Sequence, residues 1–191
     1  MKHYEKELPM GYRAAYTVDA ASRKVGVWLN VIAAIVMAAI IAAAFLIIRP
    51  GSIFKNGSPF AFLALAAGLL AYIVLHELVH GAAYKLLTGR RLTFGLTATV
   101  AYCGVPDIYV YRRASLIALL APFVVFTLLF GGLVMTLANP VNRFFAAIAL
   151  AVHVGGCAGD LYDTGLYLLR FRDPRTLMRD TGPKQTFYLP E

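Results

Sequence analysis

The chain has 191 residues, of which 60% are hydrophobic and only 15% charged, with a formal net charge of +8. Soluble domains run nearer half apolar and a quarter charged, and a chain of this length has too little interior to hide the excess. An ordinary soluble enzyme, a disordered chain and a fibrous chain are therefore excluded, and an integral membrane protein remains. The two cysteines, Cys103 and Cys157, make no disulfide framework. The basic residues flank apolar spans, so the positive charge reads as a topology signal and no nucleic-acid partner is expected.

Taken in order, the chain opens on a charged segment that holds Lys2, Lys6, Arg13, Arg23 and Lys24, which leaves no place for a cleavable signal peptide. A helical span needs about 20 apolar residues. Helix one is expected over about 25–48, stopped by Arg49-Pro50-Gly51. Helix two follows over about 60–87 and contains His76, Glu77, His80 and Lys85. From Thr93 to Tyr102 the residues alternate with a period of two, and Ile108 to Tyr111 offers a short return strand, which predicts a β-hairpin over about 93–111. Helix three is expected over about 114–138, with Pro122 kinking or opening it, and helix four over about 144–169. The expected fold is thus an all-α membrane protein of four transmembrane helices with one short hairpin on the cytoplasmic side, forming a single domain over 1–191.

Three groups of five Lys or Arg precede helix one, join helices two and three, and follow helix four; the opposite loops hold Arg49, Lys55 and Arg143. That split places both termini in the cytoplasm of a multi-pass cell-membrane protein.

Helix two carries His76-Glu77-Leu78-Val79-His80 followed by Gly81. Histidines at i and i+4 share one helical face and can hold one Zn²⁺, with the adjacent glutamate placed as general base for a metal-activated water. A charge such as Glu77 inside a span costs about 2.5–3.5 kcal/mol on insertion scales, so three ionisable residues within five positions imply a use. A purely structural polar cluster is the weaker alternative. Catalytic zinc takes a third protein ligand, and helix four offers His153, Asp160 and Asp163, with Cys157 between them. Gly155, Gly156 and Gly159 remove bulk there and let a neighbouring helix approach.

These residues carry a resemblance. His76-Glu77-Leu78-Val79-His80 in a membrane helix with Gly159-Asp160 in a later one is similar to the site-2 protease type of intramembrane zinc metalloprotease. The chain resembles more closely a bacterial membrane family of unknown function described as putative zincin peptidases, through Pro9-Met10-Gly11-Tyr12, His76 to Gly81, Gly159-Asp160 and Phe187-Tyr188. The resemblance implies zinc ligands at His76 and His80, a catalytic Glu77, and Asp160 as third ligand. The Asn-Pro-containing motif of site-2 proteases is lacking, since Asp160 lies between Gly159 and Leu161.

The expected activity is hydrolysis of peptide bonds in membrane protein or peptide substrates, in contact with the lipid bilayer, with the hairpin offering an edge to an extended substrate. The rival reading is a non-catalytic membrane metal-binding, regulatory or transport protein. A CAAX-type endopeptidase is weaker, because its Glu-Glu motif is absent. On straight helices Asp160 lies about 15 Å below the cytoplasmic surface, level with His76 and His80. Asp163 is shallower, a backup ligand or an outer partner of one, and His153 lies about 10 Å beyond the metal.

Overall fold

The structure is a computed structural model and describes residues 2–49, 58–96 and 101–191. In chain order the elements are β1 (Tyr4–Glu5), β2 (Tyr12–Asp19), α1 (Arg23–Ile48), α2 (Pro59–Thr88), β3 (Thr93–Leu96), β4 (Ala101–Gly104), β5 (Tyr109–Tyr111), α3 (Arg112–Thr136), α4 (Pro140–Gly156), α5 (Ala158–Leu169), β6 (Leu177–Asp180) and β7 (Lys184–Pro190). Helices α1, α2 and α3 have 26, 30 and 25 residues. At about 1.5 Å per residue each exceeds the roughly 30 Å of a hydrocarbon core. These three helices are apolar enough to cross a membrane, and α4 with α5 would make a fourth if the pair is one span.

The fold is not all-α. Among the described residues, seven strands form a five-stranded antiparallel sheet, ordered β1-β5-β6-β7-β2, and a separate two-stranded sheet, β3-β4. The hairpin differs from the expected one as well. The alternating run folds back on itself, pairing Thr93 with Gly104 and Leu96 with Ala101. The segment 97–100 that joins the two strands lies outside the described residues. Tyr109–Tyr111, expected as the return strand, pairs instead with β1 and β6.

The other correction concerns helix four, which begins earlier and is broken. Asn139 caps α4 by accepting from the Val141 and Asn142 N–H groups at 2.9 and 3.2 Å, and Pro140 takes the first helical position, where its missing N–H is no loss. The helix ends at Gly156; Cys157 follows as a turn residue, and α5 starts at Ala158. Glycines at 155, 156 and 159 explain why an apolar run of this length does not stay one helix.

The chain divides into two compact units. One holds residues 1–29, 76–122 and 159–191, and the other residues 30–75 and 123–158. The first contains both sheets. Its core is built from Val18, Leu119, Tyr167, Phe171, Met178 and Phe187. The Phe187 ring stacks on Phe171 at 4.9 Å and meets Tyr167 edge-on at 4.9 Å, the offset and edge arrangements aromatic quadrupoles favour. A second cluster packs Tyr84 against Val105, Ile108, Val110, Ala114 and Ala118. The other unit is helical, with Ala44, Phe144 and Ala147 at its centre. There α4 approaches α1 so closely that a Cβ on Gly155 would lie 2.5 Å from Met37 Cγ and 2.9 Å from the Ala33 carbonyl oxygen. Glycine at 155 is a packing requirement.

Between β6 and β7 sits a buried carboxylate. Asp180 accepts from Tyr84 Oη–H at 2.8 Å, from the Gly182 N–H at 2.9 Å and from Gln185 Nε2 at 3.2 Å. Burial pushes its pKa up to about 6, against the lowering effect of those donors. In the unfolded chain an aspartate titrates near about 3.9. Between those values the folded protein binds the extra proton, so stability falls as pH rises from about 4 to about 6 and levels off above. Thermal melts of the detergent-purified protein should therefore show the wild type losing stability relative to Asp180→Asn across that window. Parallel melting curves from pH 4 to 7 would contradict the assignment.

Candidate metal centre

Helix α2 starts at Pro59, with Ser58 Oγ accepting the Phe60 N–H at 3.2 Å. It runs unbroken through His76 and His80, which lie one turn apart with ring centroids at 4.9 Å and planes at 72°. Both histidines are buried and Glu77 between them is half-buried. Asp160 enters from the first turn of α5. Its Oδ2 lies 3.4 Å from His76 Nε2 and 3.4 Å from His80 Nε2, and one ligand atom from each of the three side chains lies within 4.8 Å of the others.

The tautomer of His80 follows from its other nitrogen. His80 Nδ1 is 2.8 Å from the Ala118 carbonyl oxygen, which can only accept. Nδ1 therefore carries the proton, and in the neutral ring Nε2 presents a lone pair toward Asp160. With the ring neutral, Nε2 and Asp160 Oδ2 at 3.4 Å are two donor atoms that one metal ion can share. A tetrahedral zinc site with bonds of about 2.0–2.1 Å has ligand–ligand edges of about 3.3–3.4 Å. The residues present therefore fit zinc in donor type and spacing, with His76, His80 and Asp160 as the protein ligands and a nitrogen–oxygen donor set that suits this metal.

Of the remaining candidates, His153 and Cys157 have other partners. His153, fully buried on α4, receives the Tyr72 hydroxyl at Nδ1 (2.9 Å), while Nε2 lies 3.2 Å from the Phe123 carbonyl and 3.1 Å from Thr127 Oγ1. A carbonyl accepts only, so Nε2 donates, and both ring nitrogens are engaged. Cys157 is buried with Sγ 3.6 Å from His153 Nδ1. Asp163 is buried one turn beyond Asp160, with Oδ1 lacking a hydrogen-bond partner among the described residues. The depth ranking assumes one straight helix. The break at Cys157 separates Asp160 and Asp163 from His153, so the ranking does not carry across it.

Gly81 shows how the hairpin meets this helix. A Cβ there would lie 2.8 Å from Phe94 Cζ and 3.1 Å from Leu92 Cδ1, so a larger residue would have to displace these two side chains from α2 one residue past His80.

Residues 69–173, more than half of the chain, match the protein family described as "Putative zincin peptidase". The chain belongs to that family. Neither the curated proteins nor the solved structures contain a match to it. The zincin description implies zinc and a metallopeptidase activity, and the matched stretch contains His76, Glu77, His80 and Asp160.

Two partners of the site escape a reading of side-chain types. The Ala118 carbonyl that holds His80 is backbone, and Asp180, which anchors Tyr84 one turn after His80, lies in a tail with no motif. Alanine variants test the ligand set. His80→Ala and Asp160→Ala should each weaken zinc binding by more than the roughly 10–100-fold that loss of an outer partner costs. Asp163→Ala and His153→Ala should keep near-stoichiometric metal after dialysis against a chelator. Full zinc in Asp160→Ala, with loss in His153→Ala, would reject the assignment.

Proposed function

We propose that this protein is a zinc-dependent intramembrane or membrane-proximal endopeptidase of the site-2 protease type, acting on membrane protein substrates. The observation that carries the reading is the convergence of His76 Nε2, His80 Nε2 and Asp160 Oδ2 beside Glu77, on a helix long enough to span a bilayer.

Zinc held by His76, His80 and Asp160 would supply Lewis acidity at the site, toward a water and toward the scissile carbonyl. Glu77, adjacent to His76 and on no other assignment, is the group that accepts the proton of the attacking water and returns it to the leaving amine.

A peptide bond in a substrate helix is shielded by its own hydrogen bonds, so the substrate must be extended before attack. Strand β3 pairs only with β4 among the described residues, and Phe94 on β3 rests on Gly81. An extended substrate pairing with the outer edge of β3 would lie along the helix that carries the histidines, which supports strand addition as the binding mode. Thr97 and Thr99, within the alternating run, lie outside the described residues.

All fifteen Lys and Arg of the three flanking groups fall in the sheet-bearing unit, and Arg49 and Arg143 do not. By the positive-inside bias we place the sheets and both termini in the cytoplasm, so cleavage would occur toward the cytoplasmic end of a substrate.

Glu77→Gln separates this function from a metal-binding role without catalysis. It should retain near-stoichiometric zinc and lower turnover by at least about 10²–10⁴-fold. Substrates should then accumulate uncleaved when membrane proteomes of variant and wild type are compared. Continued cleavage of a wild-type substrate by Glu77→Gln would show the mechanism to be wrong.

A further inference from the structure

We infer that Pro122 is a positioning residue for the metal centre: by lacking an N–H it leaves the Ala118 carbonyl open to His80. The inference rests on the zinc reading of His80 given above. In an uninterrupted α-helix the carbonyl of residue 118 accepts the N–H of residue 122. Residue 122 is the proline inside α3, so that bond cannot form, and the pyrrolidine ring crowds the same carbonyl and turns it off the helix axis.

The freed carbonyl is in no position to find water. Ala118 is fully buried, Pro122 is fully buried and His80 is 6% exposed. A buried carbonyl without a donor is unfavourable, and the donor supplied here is His80 Nδ1–H at 2.8 Å. The helix defect is thus completed by a side chain from α2, and in return the defect fixes that side chain's tautomer and ring plane. Nε2 is left as the ring's only lone-pair nitrogen, 3.4 Å from Asp160 Oδ2. Histidine ligands are commonly oriented by such a bond at the second nitrogen, and its loss weakens metal binding by about 10–100-fold. Here the acceptor is a backbone atom, so no substitution at Ala118 can remove it. The side chain that governs it is four residues away.

Any other residue at 122 restores an N–H that competes for the Ala118 carbonyl and draws it back along the helix axis. Pro122→Ala and Pro122→Val both restore the donor, but only Ala leaves the site underfilled. The test uses the full chain in detergent, with zinc affinity measured by competition against a chelator and the ligand field read from the d–d absorption of the cobalt-loaded protein. Both variants should raise the zinc dissociation constant by about 10-fold and alter the cobalt spectrum, while remaining monodisperse. Wild-type affinity and spectrum in both variants would overturn the inference and leave the zinc reading standing. A loss confined to one variant traces to side-chain volume and overturns it equally. A wild type that binds no zinc would reject the underlying reading together with the inference.

Discussion

Three potential metal-ligand atoms converge in this protein: two imidazole nitrogens and a carboxylate oxygen, the nitrogens each 3.4 Å from the oxygen. Polar groups buried this closely must be satisfied by one another or by a shared ion. A metal held by all three atoms satisfies them together. The arrangement is therefore both the source of the chemistry and a demand on the fold, which must bring α2 and α5 to one point and hold both histidine rings in a fixed plane. Much of the surrounding structure serves that demand. The Ala118 carbonyl seats His80, and Gly81 lets the β3 segment lie against α2 directly beyond it.

The five-stranded sheet serves a different need. Apolar helices have little hydrophobic reason to associate in lipid, so a precise geometry needs packing and polar contacts as well. Strands from the N-terminal segment, the 109–111 segment and the C-terminal tail supply such contacts. Tyr84, one turn beyond His80, is buried against Val105, Ile108 and Val110, and its hydroxyl is held by Asp180 in β6. The same tail places Phe187 against Phe171 and Tyr167. Tyr167 lies on α5, the helix that carries Asp160, so the core of the sheet unit holds two ligand-bearing helices by their ends.

The spans and the histidine motif were legible in the sequence because each is a local signal: a charge-free apolar run, and two histidines four residues apart on one helix. The sheets were not. Strand β2 pairs with β7 across nearly the whole chain, and a register shift between Ala14 and Tyr16 breaks the period-two pattern that would reveal it. The hairpin was legible as an alternating run but not in its register, because alternation fixes faces and leaves the position of the turn open. The break at Cys157 escaped for a related reason. Hydropathy measures how apolar a run is and does not register that glycines at 155, 156 and 159 weaken the helix. In the site, side-chain types pointed to the histidines but left His153, Asp160 and Asp163 open as the third ligand, which helix depth and the family resemblance narrowed to Asp160, whereas the role of Ala118 depends on a backbone oxygen that no residue type announces.

The most direct test of the central claim is the zinc K-edge X-ray absorption spectrum of the purified wild-type protein. A centre held by His76, His80 and Asp160 requires a first shell of nitrogen and oxygen only, at about 2.0–2.1 Å, with outer-shell scattering that fits two imidazoles. A sulfur at about 2.3 Å would bring Cys157 or Cys103 into the coordination sphere, and scattering from three imidazoles would bring in His153. Either result would contradict the ligand set and the mechanism built on it.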